Sequence, residues 1–546
     1  MLCSYTIAVN MNRKKHLKQP TLKTSLLLTP EYKENVRSVG YLGRKGYTIP
    51  KSVMTEEDIA CLKEELLVKP VEMKMSYGAP GAAQANAFPV YKENDKKIYL
   101  PRFYGIERYG LPDKSELQEG DDIDVSFDKP LRDYQEDIVG VYMNHIGEPI
   151  AKDHTENGNG GILEIFCGAG KTIMALNIVS RIKKKTLIIV HKEFLMNQWI
   201  ERIEDFLPGA KVGKIQGQKF DIEDKDIVIG MLQSLYDKDY GPNGFQSFGL
   251  TIVDEVHRIG SEQFSKTLLK VTTPNMLGIS ATVDRKDGLT KVLYMFIGNK
   301  IYSKQREGED PVCVRAIHFH SNDDEFNEVE TDYRGNTKYS TMITKLCAHN
   351  PRTMFIIKIL QDLLSEDSDK QIMVLCHNRS LLTAIYQYIK SWNDDEEMIG
   401  YYVGGMKQAD LEKTEKKRIV LATYAMAAEA LDIKTLSTLV MVTPKTDITQ
   451  SVGRILRVKH DKPIIVDLID QHDPFQKQWI QRRRYYKKCN YKIIQNNSKK
   501  YTNMDTVDNS DEWKLVFDPK DKTTKADEEK EAKSDRKCLI AFDNLE

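Results

Sequence analysis

The chain has 546 residues, enough for three or four domains with full cores. Its 80 Lys and Arg cancel its 80 Asp and Glu, which excludes a global field as the means of finding a partner and confines any basic surface to local patches. The 8 cysteines stand singly, with no C-x-x-C pair, which excludes a zinc site and leaves reduced, intracellular thiols; no apolar run reaches membrane-spanning length. Residues 1–10 are mildly apolar, but Arg13, Lys14 and Lys15 follow them, the reverse of a secretory signal, and Met11 offers a second start. Residues 1–122 read as a small accessory domain. Within them Thr55 caps a helical pattern from Glu56 to Leu67, with Leu62, Leu66 and Leu67 on one face. From Phe88 two strand-like runs flank Glu93-Asn94-Asp95, a β-hairpin pattern. Its aromatics, with Lys96, Lys97 and Arg102, suit either a grip on nucleic acid or plain packing on a neighbouring domain, the simpler reading.

Leu131-Arg132-Asp133-Tyr134-Gln135 precedes a helical pattern. The stretch Ile162-Leu163-Glu164-Ile165-Phe166-Cys167-Gly168-Ala169-Gly170-Lys171-Thr172 then runs from an apolar strand through glycines into a helix, the order a phosphate-binding loop requires. Gly168 and Gly170, with Ala169 between them, let backbone N–H groups turn onto phosphate oxygens. Lys171 neutralises β- and γ-phosphate charge, and Thr172 ligates Mg²⁺. Ile165 stands where the general pattern has its first glycine. The apolar runs 186–190, ending at His191, and 226–229, followed by Gln233 and Ser234, alternate with helical patterns. Such strands describe a parallel sheet with its polar groups at the carboxyl ends. Leu250-Thr251-Ile252-Val253 then delivers Asp254-Glu255-Val256-His257, with Asp254 placed to hold Mg²⁺ and Glu255 to orient and deprotonate a water. Gly278-Ile279-Ser280-Ala281-Thr282 follows, and after it Arg285-Lys286-Asp287-Gly288.

A charged link, Gln305 to Pro311, leads into a second α/β pattern with apolar runs at 312–319, 371–376 and 418–423, the last two followed by His377 and ended by Thr423. Glu429-Ala430-Leu431-Asp432-Ile433 comes next. Gln450-Ser451-Val452-Gly453-Arg454-Ile455-Leu456-Arg457 sets Arg454 and Arg457 on one helical face, where both guanidinium groups can reach a γ-phosphate. Gln481 to Lys488 interleaves cations with tyrosines, equally suited to a nucleic-acid clamp and to a solvated helix face. From Asn496 the text turns polar and reads as a disordered tail.

In order and spacing these motifs resemble those of superfamily 2 helicases of the D-E-x-H kind, over about Leu131 to Tyr491. Arg285-x-Asp287 resembles the R-x-D element of translocases related to the xeroderma pigmentosum group B subunit and phage UvsW, and the overall length resembles the transcript-release helicases of poxviruses and other large DNA viruses. The resemblance implies an α/β fold of two tandem RecA-like parallel-sheet domains, 123–305 and 306–495, with the accessory domain 1–122 before them and the tail 496–546 after. It implies that Gln135 reads adenine. It implies further that His257, Ser280, Thr282, Arg285 and Asp287 link hydrolysis to movement and nucleic-acid contact. Thr423 would touch a nucleic-acid phosphate and Asp432 the nucleotide side, although the family commonly has glycine where Ala430 stands. Gln450, Arg454 and Arg457 would complete the ATP site from the second domain. ATP and Mg²⁺ are the implied cofactors, and nucleic acid is the implied partner, DNA favoured over RNA, in viral transcription or repair and in the cytoplasm of an infected cell or in a virion. An RNA helicase, and a nucleic-acid-stimulated ATPase that remodels complexes without unwinding, are the competing readings.

Overall fold

The computed structural model describes residues 28–70, 87–147, 158–166, 168–241, 243–258, 262–285, 287–304, 311–367, 370–429, 433–453, 460–504 and 512–520. Apart from the short stretches 74–82 and 166–169, which group with the second, two compact units divide in the sequence between Lys304 and Gln305.

The first unit opens on a five-stranded sheet in the order Lys92–Glu93, Lys97–Leu100, Gly46–Pro50, Tyr41–Gly43 and Lys114–Ser115. Period-two alternation decides its faces: Leu42, Tyr47, Ile49, Ile98 and Leu100 are buried on one side. The expected hairpin is present, and Asn94 shapes its turn by accepting from the N–H groups of Lys96 and Lys97 at 3.0 and 2.7 Å. Thr55 caps its helix as expected, accepting from the Asp58 N–H at 3.2 Å, but the helix ends at Glu65. Leu67 therefore leaves the apolar face and stands exposed on the strand Leu67–Val68, which pairs with Phe88–Pro89. The strand pairing outweighs one more half-turn of helix. Arg102 follows the packing reading. It is buried and its Nη1 donates to the Thr273 carbonyl at 2.7 Å, so it ties the accessory sheet to the larger one instead of facing nucleic acid.

The larger sheet of this unit has eight strands in the order Lys219–Phe220, Val212–Gln216, Ile227–Met231, Thr186–Val190, Leu250–Asp254, Asn275–Ser280, Gly160–Ile165 and Lys300–Lys304. All neighbours are parallel except the first pair. The central strands are buried along their whole length, which is why they read as unbroken apolar runs. Register sets the functional edge. Asp254 lies beside Ile279, and Ile279 beside Leu163, so the segments following three adjacent strands emerge together at the carboxyl edge.

The second unit repeats the plan with the strands Ile399–Tyr402, Ile419–Thr423, Gln371–Cys376, Leu436–Met441, Ile464–Asp470, Cys313–Phe319, Lys492–Asn497 and Lys514–Phe517. Only the last pair is antiparallel. The segment read as a polar tail from Asn496 thus contributes an edge strand. Tyr501, Met504, Trp513 and Phe517, spread thinly through polar text, are buried in the core, too far apart to form a pattern in sequence. The rest of that tail, 505–511 and 521–546, lies outside the described residues. Among the described residues no helix is long and apolar enough to cross a membrane.

Candidate active site at the carboxyl edge of the first sheet

The loop after Gly160–Ile165 is built on backbone that only glycine enters freely. Gly168 and Gly170 have φ of 86° and 84°, and Gly170 is the N-cap of the helix Lys171–Ile182. Gly170 has no side chain to cap that helix start, whose first N–H groups and positive dipole end suit an anion. Gly170 serves a second purpose: a Cβ there would stand 2.5 Å from the Gln135 side-chain nitrogen. Gln135 is buried at the start of the helix Asp133–Ile146, and its carbonyl accepts from the Arg132 N–H at 3.0 Å. The structure therefore brings Gln135 against the loop that sequence alone separates from it. Thr172 follows Lys171 in the first turn.

Asp254 ends its strand almost fully buried. Its Oδ1 accepts from the Glu255 N–H at 2.8 Å and its Oδ2 from the Trp199 indole N–H at 2.9 Å. Burial, and after it the charge of Glu255, push the Asp254 carboxyl up to about 6, while the Trp199 and Lys171 contacts pull the other way. Glu255 has φ of 49°, a left-handed conformation that is uncommon for a residue with a Cβ. That turn aims its carboxylate at two partners: Oε1 lies 3.7 Å from Lys171 Nζ and Oε2 3.3 Å from His257 Nδ1. His257 Nδ1 is also 2.7 Å from Ser280 Oγ. The Ser280 hydroxyl spends its one proton on the Thr282 carbonyl at 2.6 Å and accepts from the Thr282 N–H at 3.2 Å, so His257 Nδ1 carries the proton between it and Ser280. One polar chain thereby links Lys171, Glu255, His257, Ser280 and Thr282. Arg285 braces it: Nη1 donates to the His257 carbonyl, and Nε and Nη2 grip Asp287 at 3.0 and 2.5 Å.

Two residues of this edge escaped sequence reasoning. Trp199 was only a helical residue on paper, and nothing in its spacing says that it reaches Asp254. Glu164 had a signal, a carboxylate inside an apolar run. It is buried on the strand before the glycine loop and accepts from the Val283 N–H at 2.8 Å, Lys300 Nζ at 2.9 Å and Ser303 Oγ at 2.6 Å. Burial raises its pKa, but Ser303, Lys300 and the Val283 N–H outweigh that and hold it below its ordinary value. Glu164 therefore fastens the chain just past Ser280-Ala281-Thr282 to the strand that carries the glycine loop.

In the second unit Thr423 ends its strand beside Cys376, at the same carboxyl edge as His377, whose Nδ1 lies 2.9 Å from Thr443 Oγ1. The backbone of Gln450 belongs to the short helix Thr449–Val452. Its side chain, together with Asp432, Arg454 and Arg457, lies outside the described residues.

The Trp199 contact yields a test. Trp199→Phe keeps an aromatic side chain, smaller than the indole, and removes the N–H donor, so Asp254 loses the partner that orients it. Outer partners of this kind are worth about 10- to 100-fold in metal affinity. The Mg²⁺ concentration for half-maximal ATPase activity is expected to rise by that order; an unchanged Mg²⁺ titration would remove Trp199 from the site.

The chain is similar in sequence to several known proteins. The family model described as the res subunit of type III restriction enzymes matches residues 128–285, and the helicase conserved C-terminal domain matches residues 356–459. A protein of Acanthamoeba polyphaga mimivirus named as an ATP-dependent RNA helicase is 34% identical over 460 residues, 82% of this chain and 85% of its own. One from African swine fever virus, likewise named as an ATP-dependent RNA helicase, is 27% identical over 396 residues, 68% of this chain and 74% of its own. A protein named as a helicase in Invertebrate iridescent virus 6 is 27% identical over 361 residues, 63% of this chain and 80% of its own. Among solved structures, S. cerevisiae Dbp5 bound to RNA and ADP BeF3 superposes with a TM-score of 0.46 at 11% identity, over 67% of this chain and 89% of its own.

Proposed function

Since the chain belongs to the superfamily 2 helicases represented in mimivirus, African swine fever virus and iridescent viruses, we infer that it spends ATP hydrolysis on movement along a nucleic-acid strand through the residues named above. The observation that carries this reading is the polar chain from Lys171 through Glu255 and His257 to Ser280. It joins the group that would meet a phosphate to the group that would activate water, and both to the segment braced by Arg285 and Glu164. A change in the charge that Lys171 meets reaches Ser280 through two side chains.

The proposed roles follow from the chemistry of each group. The N–H groups from Gly168 to Thr172 and the Lys171 ammonium bind polyphosphate, and Gln135 presents a donor and an acceptor to adenine. Glu255 takes the proton of an attacking water. The protein's share of a Mg²⁺ site is assigned to the Thr172 hydroxyl and the Asp254 carboxylate. A donor set this small suits Mg²⁺, which commonly keeps waters and substrate phosphates as its other ligands and, when bound, neutralises phosphate charge. A buried carboxylate with a raised pKa is also one that a cation would stabilise in its charged form. Gln450, Arg454 and Arg457 are assigned to charge on the transferring phosphoryl group, and Asp432 to the nucleotide side. Thr423 is assigned to a phosphate of the nucleic acid, a contact that positions a strand without reading its bases.

The viral relatives' names favour RNA; the Arg285-x-Asp287 element favours DNA. ATPase rate with Mg²⁺ alone, then with single-stranded RNA, single-stranded DNA and duplex DNA of matched length at one low salt concentration, tests the reading. Stimulation by a single strand is the expected result, and its sugar identifies the substrate. A rate indifferent to all three would overturn the translocase reading.

A further inference from the structure

The accessory sheet presents a row of side chains that the site above does not use. Cross-strand register aligns Lys92 with Tyr99, Tyr99 with Thr48, Thr48 with Tyr41, and Tyr41 with Lys114. Period-two alternation puts all five on the face opposite Leu42, Tyr47 and Leu100, so one row crosses all five strands as cation, ring, hydroxyl, ring, cation. Four inter-strand gaps of about 4.8 Å make the row about 19 Å long. Lys92, Tyr99, Thr48 and Tyr41 line a cleft of about 770 Å³ within the first unit, with Thr48 buried at its floor and Lys114 beyond its end; Tyr240, Phe245 and Lys270 line it too.

The charge of the cleft seeks an anion. Arg44, Lys45, Lys92 and Lys270 line it against Glu116 and Asp239; Glu116 is already paired with Lys114 at 2.7 Å, and Lys270 already donates to the Leu235, Tyr236 and Lys238 carbonyls. Lys92 is half-buried with no hydrogen bond or ion pair among the described residues. Burial, and then the charges of Lys270 and Lys45, pull its ammonium below its ordinary value, with Asp239 in partial opposition. The rings already attract cations: Lys45 Nζ lies 4.6 Å from the Tyr99 ring centre, and Lys97 and Lys114 Nζ lie 5.1 and 5.4 Å from that of Tyr41. Phosphates entering the cleft would draw these ammonium groups onto themselves and free the ring faces for flat partners.

We propose that this cleft is a second nucleic-acid site, in which the Lys92–Tyr99–Thr48–Tyr41–Lys114 row takes two or three bases of a single strand by stacking while the lysines hold its phosphates. An acidic peptide would satisfy the charge but has no use for two aligned rings, and a small apolar ligand has no use for four cations. The inference rests on the translocase reading and adds a grip outside the glycine-loop edge. A longer strand then binds better than a short one.

The test compares the full chain with its Lys92→Gln and Tyr99→Leu variants by fluorescence anisotropy, using pyrimidine oligonucleotides of about 8 and about 40 nucleotides, the short one near the size of a single site. Thermal unfolding of each variant confirms that the sheet is intact. The expected result is a loss of about fivefold or more in affinity for the long strand with Tyr99→Leu, little change for the short one, and a salt slope reduced by about 0.7 with Lys92→Gln. Variants that bind both lengths as the parent does would overturn the second site while leaving the translocase reading standing. So would inorganic polyphosphate competing as well as an oligonucleotide of equal charge. A parent chain that binds neither oligonucleotide, with an ATPase rate indifferent to both, fails the translocase reading itself.

Discussion

Glu255→Gln is expected to lower kcat for ATP by about 10²- to 10⁴-fold, the usual worth of a positioned general base, or about 3–5 kcal/mol of barrier. The substitution is a narrow one. His257 gives its Nδ1 proton to Ser280, so the His257–Ser280–Thr282 link at 2.7 and 2.6 Å has reason to persist without the carboxylate, and the volume beside Lys171 is unchanged. What disappears is the proton acceptor. ATP affinity should therefore survive, and a nucleotide analogue should still bind with near-parental Kd. Lys171→Ala makes the contrast, because it removes the cation that meets the phosphates and should weaken binding as well as turnover. Steady-state ATPase rates with saturating nucleic acid, together with equilibrium nucleotide binding, separate the two. Turnover within threefold of the parent in Glu255→Gln would mean that the residue is only a brace for His257 and that another group handles the water.

Arg352→Met should destabilise the second unit by about 3–5 kcal/mol. Arg352 on the helix Asn350–Glu366 and Asp470 at the end of Ile464–Asp470 are each 0% exposed, and they meet through two bonds of 2.6 and 2.9 Å. The guanidinium also donates to the Val442 carbonyl at 2.7 Å. One side chain thus fastens a helix to the carboxyl ends of two neighbouring strands, just ahead of the segment that leads to Gln450. Deleting it leaves a buried carboxylate without its counter-ion, which is where most of the penalty arises. For a unit of this size the loss corresponds to about 6–20 °C in the Tm of its transition, readable by calorimetry on the full chain. Arg352→Met combined with Asp470→Leu should recover most of the loss, because it is the unpaired charge that costs. A single variant within about 1 kcal/mol of the parent would show that water reaches Asp470.

Much of this molecule was legible before its fold was known. The parallel sheets could be read because strands buried on both faces must be apolar throughout, and Thr186–Val190 and Leu250–Asp254 are. The glycine loop could be read because a tight strand-to-helix turn with left-handed φ admits few residues besides glycine, and Gly168 and Gly170 occupy those positions. Asp254 and Glu255 could be read because two carboxylates are rarely placed at the end of an apolar run without a use.

What the sequence could not supply was the pairing of distant side chains. Trp199 reaches Asp254 across 55 positions, Glu164 reaches Val283 across 119, and Arg102 reaches Thr273 across 171. No periodicity connects them, since local spacing encodes only which face of its own element a residue occupies. The edge strand Lys514–Phe517 was hidden for the same reason. Trp513 and Phe517 are too sparse to look like a core until the neighbouring strand Lys492–Asn497 gives them one. The chemistry of each element was thus set by residues adjacent in the chain, whereas the contacts that tune that chemistry, and the aligned row on the accessory sheet, were decided by register and packing between elements, which only the tertiary structure contains.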